Sequence, residues 1–151
     1  MNVTLVGEKK FMAKLTDRLS HAPIVHAKKA VLLSVGRVRN VAVESIARGA
    51  KSGGVVKKYN PKRLHLQSGP LQPPATDTGF LVSQISSSVK VDGTVIVGEV
   101  KSSAPYSKFL EYGTRTMIKR PFMLPALRKS KKKIKEIFVR EGLIGLKGKS
   151  K

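Results

Sequence analysis

The stretch KVDGTVIVGEV, from Lys90 to Val100, decides the kind of fold that this chain adopts. Valines alternate with other residues on both sides of the Asp92-Gly93 pair, and Asp-Gly is a sequence that two-residue hairpin turns favour. An alternation with a period of two turns one side of each strand towards a core. The stretch therefore predicts an antiparallel β-hairpin. The β-forming residues from Phe80 to Val91 extend its first strand.

Two helices are predicted after this hairpin. Pro105 is typical of the first turn of a helix, and Gly113 is typical of a helix end that needs a positive φ, so the two residues bound a short helix. A connector with Pro121 follows, and Pro125 starts a last helix from Ala126 to about Arg140. Its predicted buried side is formed by Leu127, Ile134, Ile137 and Phe138.

The region before the hairpin predicts mainly helix. An apolar stripe from Glu8 to Ser20 indicates a first amphipathic helix, which we expect Pro23 to interrupt. A longer helix of about 25 residues then ends near Gly49. Its apolar positions recur at steps of three or four residues: Ala27, Val31, Val35, Val38, Ala42 and Ile46.

The domain organisation follows from these elements. Between Lys51 and Pro74 the periodicity gives way to Gly, Ser, Pro and Lys, which predicts a long loop. We therefore expect one α+β domain over residues 1–140, with a long N-terminal helix, an antiparallel sheet with a β-hairpin, a short helix and a C-terminal helix. Residues 141–151 are expected to form a basic, flexible tail.

The charge of the chain is its strongest compositional feature. Among 151 residues, 30 Lys and Arg face nine acids, which gives a net charge of +21 and favours a polyanion as partner. Four lysines follow the start of the last helix: Lys131, Lys132, Lys133 and Lys135. They lie off its apolar side, so they suit contact with DNA, with an acidic partner surface, or with solvent alone. No motif of a known nucleic-acid-binding module accompanies the charge.

The sequence offers little for catalysis. It has no Cys, its acids are scattered, and none of its three His has a second ligand at metal-binding spacing. The TDTG at Thr76 to Gly79 is superficially like that of aspartic proteases, but SGPLQPPA precedes it instead of an apolar strand. We therefore expect no enzyme, no metal and no cofactor. With no signal peptide and no membrane span, the protein is expected in the cytoplasm when made.

Four motifs together resemble one protein family. In order along the chain they are HLQSGPLQPPATDTGFLVSQI at 65–85, IVGEV at 96–100, APYSKFLEYGT at 104–114 and RPFMLPAL at 120–127. In this order and spacing they resemble the tail-completion, or head-tail joining, proteins of long-tailed bacteriophages. The stretch SGPLQPP departs from the family's usual S-x-P-G-x-P-P before Asp77.

This resemblance implies a structural protein of the virion neck, which connects the DNA-filled head to the tail. It implies a homo-oligomeric ring of six subunits, with a head-side connector or stopper protein on one side and a tail-terminator or tail-tube protein on the other. Double-stranded DNA would pass through the ring without sequence-specific contacts. Two alternatives stay open: a free basic nucleic-acid-binding protein, and a tail-terminator ring protein.

The same reading assigns roles to three groups of residues. Candidate interface residues are Tyr106, Phe109, Glu111, Tyr112, Arg120 and Phe122, since aromatic side chains supply contact area at a low cost in side-chain entropy. They could equally close the subunit's own core, and the spacing of Phe109 from Phe122 and Leu124 favours the core for Phe109. Fold-determining turn residues are Asp77, Thr78, Gly79, Gly113, Pro121 and Pro125. The four lysines of the last helix are the candidate DNA or acidic-partner contacts.

Overall fold

Four helices and four strands make up the part of the chain that the computed structural model describes, which is residues 8–49, 52–59, 62–92 and 95–141. The helices are α1 (Glu8–Ala47), α2 (Phe80–Ser83), α3 (Ser107–Tyr112) and α4 (Met123–Arg140). The strands are β1 (Val55–Tyr59), β2 (Lys62–Leu66), β3 (Ile85–Asp92) and β4 (Val95–Ser102). Side chains of α1 are described from residue 24 onward. The predicted α+β class is confirmed.

Helix α1 is continuous through Pro23, so the expected break at this residue is wrong. A proline inside a helix removes one N–H, which leaves the carbonyl of Leu19 without its usual donor. Once a helix is nucleated, each further residue adds a hydrogen bond at little cost, so the turns on both sides of Pro23 sustain it. The predicted end near Gly49 is confirmed, since α1 ends at Ala47.

Two separate antiparallel hairpins supply the β-structure of the described residues. Strand β1 pairs with β2, so the segment 51–74, expected as a loop, contains a hairpin and that prediction is corrected. Its strands, VVKKY and KRLHL, mix cations with apolar residues on both sides, which hides the period of two. The second hairpin, β3 with β4, confirms the opening prediction. Its turn residues, Gly93 and Thr94, lie outside the described residues, as does the tail beyond Glu141.

The β3–β4 hairpin packs one side against α1. The segment from Phe80, expected as strand, first forms the single turn α2 and becomes strand only at Ile85. A Cβ atom at Gly98 would lie 2.5 Å from Cγ1 of Val35 and 2.6 Å from Cγ1 of Val31. The missing side chain therefore lets α1 approach the sheet more closely than any other residue would allow.

The hydrophobic core lies where α1, the β3–β4 hairpin and α4 meet. Its buried residues are Val38, Ala42, Ile46, Leu81, Ile85, Ala104, Phe122 and Ala126. The predicted stripe of α1 is confirmed, since its last four members are buried and the first two are partly buried.

At the far end of α4, the Glu141 carboxylate accepts hydrogen bonds from Lys29 at 3.2 Å and His26 at 3.3 Å, and these contacts lower its pKa.

The buried side of α4 differs in part from the prediction. Ile137 is buried and Ile134 and Phe138 are partly buried, as expected, but Leu127 is 45% exposed. Two small residues, Ala126 and Ser130, are the buried ones at the start of the helix instead. Small side chains permit close packing between helices. Consecutive residues of a helix are rotated by about 100°, so Leu127 points away from the packed side that its neighbour Ala126 occupies.

The predicted bounds of helices α3 and α4 are largely confirmed, although α3 begins at Ser107 and Pro105 lies in the turn before it and not in its first turn. Helix α3 ends at Tyr112, and Gly113 has a φ of 82° with a carbonyl oxygen 2.9 Å from where its Cβ would lie. Helix α4 begins at Met123, three residues earlier than predicted, with Pro125 in the first turn, where its missing N–H has no helical partner to lose. Within the described part of the chain, no helix is long and apolar enough to cross a membrane.

Candidate assembly surfaces

The structure separates the aromatic residues that the sequence placed in one cluster. Phe122 is 1% exposed and belongs to the subunit's own core, so it is unavailable as an interface residue. Phe109 is 53% exposed and Leu124 is also exposed, so the pocket predicted for them with Phe122 is wrong. The physical reason is that α3 lies on the surface and buries none of its residues. Tyr112, at 76% exposure, and Tyr106 are open to a partner.

Glu111 acts within the subunit. Its carboxylate accepts hydrogen bonds from the backbone N–H groups of Phe122, Met123 and Leu124 at 2.9 to 3.0 Å. These donors belong to the start of α4, where no preceding turn offers carbonyl acceptors. A carboxylate at a helix N-terminus also interacts favourably with the helix dipole. Glu111 therefore caps α4 and ties the FLEYGT motif to the RPFMLPAL motif.

Arg120 strengthens the same connection through its backbone. Its N–H donates to the carbonyl of Leu110 at 2.6 Å, while Thr114 and Met117 close the turn between α3 and this segment through a 2.9 Å backbone hydrogen bond. Pro121 lies next to Arg120 and is partly buried. The capping role of Glu111 was not predicted from the sequence. The one available signal was that no Ser, Thr, Asp or Asn stands directly before the predicted helix start, so a side chain from elsewhere in the chain had to supply the cap.

An apolar groove of about 520 Å³ opens between α1, β4, α3 and α4. Its apolar lining includes Val31, Val35, Ile96, Leu124, Leu127, Ile134 and Phe138, with Tyr112 at the edge. The exposed Leu127 and Leu124 thus belong to one continuous surface and do not stand alone. A groove of this composition suits a partner protein's apolar side chains better than it suits water.

Asp77 holds the β1–β2 hairpin to the rest of the subunit. Its carboxylate accepts hydrogen bonds from Lys58 and, at 3.0 Å, from Arg63, and the Nδ1 atom of His65 lies 3.6 Å from its other oxygen. The hydrogen bond from Lys58 is the main reason that the pKa of Asp77 is lowered. Lys58, Arg63 and His65 come from the segment that the sequence analysis took for a loop, so this cluster was missed.

The two residues after Asp77 shape the turn that leads into α2. The Oγ1 atom of Thr78 accepts a hydrogen bond from the N–H of Phe80 at 3.4 Å. Gly79 has a φ of 79°, a backbone conformation that favours glycine. The predicted turn is therefore present. The Asp77 side chain, however, binds the hairpin and makes no hydrogen bond to the turn's own backbone.

Asp77→Asn is expected to loosen the β1–β2 hairpin while leaving the α1–α4 core folded. An amide lacks the charge that holds two cations, so trypsin should cleave after Lys57, Lys58 and Lys62 several times faster than in the wild type. Peptide mapping after limited proteolysis measures this. Glu44→Gln, which removes an exposed ion pair with Arg48 on α1, is the matched control and should change nothing in this segment.

The pH dependence of this cluster follows from the same shift. Because folding lowers the pKa of Asp77 below its ordinary 3.8, its stabilising effect is complete above that value and is lost as the pH falls through the lower folded-state pKa. The protection factors of the hairpin amides, which correct for the pH dependence of intrinsic hydrogen exchange, should therefore be equal at pH 5 and pH 7. A hairpin that opens between these two values would contradict the assignment to Asp77.

The basic surface of α4 is exposed as predicted. Lys131, Lys132, Lys133 and Lys135 all face away from the core. Lys133 pairs with Glu136 at 2.9 Å, and this hydrogen bond lowers the pKa of the Glu136 carboxyl group. The side chains of Lys131, Lys132 and Lys135 form no ion pair with another described residue. Three neighbouring cations without counterions repel one another, and this repulsion falls when an anionic surface approaches. Among the residues that the structure describes, no group of His, Asp and Glu is arranged to hold a metal ion.

Comparison with known proteins gives one match. Residues 9–113 match the model of the family described as "Bacteriophage HK97-gp10, putative tail-component". The matched region includes the long helix, both hairpins and α3, and it ends before the RPFMLPAL motif. No curated protein and no solved structure matches the chain. Since the matched region covers more than two-thirds of the sequence, this chain belongs to the HK97-gp10-like family of bacteriophage tail components, which confirms the resemblance seen in its motifs.

Proposed function

We propose that this protein is a non-enzymatic building block of the virion neck, where copies of it form a ring that joins the DNA-filled head to the tail. The observation that carries the proposal is the combination of family membership with the large apolar groove that the described residues of the single subunit leave uncovered. A subunit that exposes such a groove beside Tyr112 is suited to repeated contact with other proteins. Residues 1–140 act as its one domain in this proposal.

The partners follow from this position. Copies of the same chain form the ring, with six as the expected number, a head-side connector or stopper protein lies on one side, and a tail-terminator or tail-tube protein lies on the other. Of the proposed interface residues, Tyr106, Phe109 and Tyr112 have exposed side chains that can meet a partner. Arg120 is only partly buried, so it remains available at the rim. Glu111 contributes indirectly by fixing α3 against α4.

The decisive experiment removes the protein from the infected cell. A nonsense mutation early in its gene is expected to give DNA-filled heads and finished tails that do not join, visible by electron microscopy, and infectious yield should fall by at least a hundredfold. Supplying the protein from a plasmid should restore joined particles. Normal joined particles without the protein would overturn the proposal.

The same experiment tests the first alternative, and DNA binding by the isolated subunit tests the second. A tail-terminator ring protein controls tail length, so its loss would give overlong or unstable tails and not complete, unattached ones. A free nucleic-acid-binding protein is favoured by one observation, the charge of +21. It predicts discrete, salt-sensitive DNA complexes of the isolated subunit in gel-shift measurements and no place for the protein in purified particles.

The exposed lysines of α4 are proposed to rim the DNA channel or to meet an acidic neighbour. Reversal with Lys131→Glu, Lys132→Glu and Lys133→Glu should leave the fold and ring formation intact, because none of the three is buried, yet reduce joined, DNA-filled particles about tenfold or more. Circular dichroism and particle counts measure the two effects. Lys28→Glu, Lys108→Glu and Lys119→Glu, also exposed and equal in charge change, form the control, and equal losses from both sets would contradict the role of α4.

A further inference from the structure

The β1–β2 hairpin presents one side whose residues are all exposed. The register pairs Val55 with Leu66, Lys57 with Leu64 and Tyr59 with Lys62, and residues paired in this way lie on the same side of the hairpin. All six of these residues are exposed, with Tyr59 at 82%. We call this the hairpin outer side. It combines four large apolar side chains with two lysines.

A hairpin with an exposed apolar side gains stability when another surface packs on that side. A two-stranded hairpin alone is marginally stable in water, and strands become stable when an apolar side packs against something. Here the opposite side, which carries Lys58, Arg63 and His65, is directed towards Asp77. The apolar residues therefore lie on the side that the described residues of the same subunit leave uncovered.

The β3–β4 hairpin packs one side against α1 and leaves the other side uncovered among the described residues. We call this other side the sheet outer side. Its residues alternate with those that face α1: Ser86, Ser88, Lys90, Asp92, Val95, Val97, Glu99 and Lys101. Val95 and Val97 are both more than half exposed. The two lysines and two acids balance, so this side is neutral on a strongly basic molecule.

The two acids on this side are distinguished from the other described carboxylates. Asp77, Glu44, Glu136 and Glu141 form ion pairs, and Glu111 caps α4. Asp92 and Glu99, by contrast, form no ion pair or hydrogen bond with another described residue through their side chains, although both are exposed. Among the carboxylates whose side chains the structure describes, the two without a partner in the subunit therefore both lie on the sheet outer side, which also carries the exposed Val95 and Val97.

We propose that the hairpin outer side of one copy packs on the sheet outer side of the next copy. This inference rests on the proposed ring and names its contact. Val55, Leu64 and Leu66 would bury against Val95 and Val97 at the usual spacing of about 10 Å between packed sheets. The Lys57 and Lys62 ammonium groups would meet the Asp92 and Glu99 carboxylates. Because the sheet outer side is neutral, it repels a second positively charged subunit less than the basic surfaces of the molecule do.

The geometry of this contact suits a ring. The two surfaces are different parts of the same chain, so the contact is heterologous and each subunit keeps one free surface of each kind. Repetition of such a contact closes into a ring when its rotation divides a full turn, whereas a contact of one surface with itself would stop at a dimer.

Engineered cysteines test the contact directly, because the natural chain contains none. Phage particles are assembled in cells that supply only the Leu64→Cys, Val97→Cys double variant, then purified, oxidised and separated on a denaturing gel without reductant. A covalent ladder that ends at the copy number of the ring is the expected result. The control pair Leu64→Cys, Lys132→Cys places the second thiol on α4 and should give no ladder.

The outcomes distinguish this inference from the proposed function. Particles that contain the double variant without a ladder, or an equal ladder from the control pair, overturn the contact and leave the neck function standing. Absence of the wild-type protein from purified particles overturns both.

Charge reversal provides a second test that does not depend on thiols. Lys57→Glu with Lys62→Glu should lower infectious yield about tenfold or more, and Asp92→Lys with Glu99→Lys should do the same, because like charges would then face each other. The fourfold variant restores opposite charges and the original net charge, so its yield should return to within about threefold of the wild type. A fourfold variant as defective as either pair overturns the contact.

Discussion

Phe122→Ala is expected to lower the free energy of unfolding by about 3 to 5 kcal/mol, the largest loss we expect from any single substitution in this subunit. Phe122 is the largest fully buried side chain among the described residues and packs with Ile46, Leu81 and Ile85 in the core. Its removal leaves a cavity between α1 and the start of α4, which closely packed neighbours fill only in part. Thermal unfolding followed by circular dichroism should show a melting temperature lower by on the order of 10 °C.

Phe109→Ala is the matched control for this prediction. The same atoms are removed, but from a side chain that is more than half exposed on α3, so stability should change by about 1 kcal/mol or less. Equal destabilisation by the two substitutions would show that Phe109, and not Phe122 alone, closes the core. The exposed ring of Phe109 is instead expected to affect assembly with partner proteins.

Glu111→Ala is expected to lower the free energy of unfolding by about 2 kcal/mol, at the upper end of measured losses from helix caps. Three backbone N–H groups at the start of α4 lose a charged acceptor at once, and charge-assisted hydrogen bonds are the stronger ones. Since the cap also joins α3 to α4, the RPFMLPAL segment should lose protection from hydrogen exchange before the rest of α4. Mass spectrometry after exchange measures this locally.

Two further variants sharpen the result for Glu111. Glu111→Gln keeps a neutral acceptor of the same shape and should lose only part of the stability, about half of the alanine effect. Glu136→Ala removes an exposed glutamate from α4, paired only with Lys133, and should cost less than about 0.5 kcal/mol. If Glu111→Ala were as mild as Glu136→Ala, the three hydrogen bonds would not hold the helix start.

Several elements were predictable because a single local property specifies them. The apolar stripe of α1 predicted which side of the helix is buried, because apolar residues at helical spacing lie on one side. Four residues of that stripe are indeed buried. The Asp92-Gly93 pair and the alternating valines specified the β3–β4 hairpin. Gly113 and Pro125 marked the end of one helix and the first turn of another, because each backbone position suits few other residues.

Other features were not predictable because they depend on residues far apart in the chain. The strands β1 and β2 show no amphipathic period, and they are tied to the subunit by Asp77, which lies 19 residues after Lys58. Phe109 and Phe122 have similar sequence surroundings, yet one lies on the surface and the other in the core. Only the placement of α3 relative to α1 decides between them.

The sequence by itself determined the α+β class, the helix stripe, the second hairpin and the family, since period, turn residues and motifs are properties of short segments. Tertiary structure alone decided the roles of Glu111 and Asp77 and the exposure of Leu127 and Phe109. A carboxylate has the same charge wherever it stands, and an apolar side chain the same hydrophobicity. Which backbone groups, cations or neighbours they meet is fixed only when distant segments pack together.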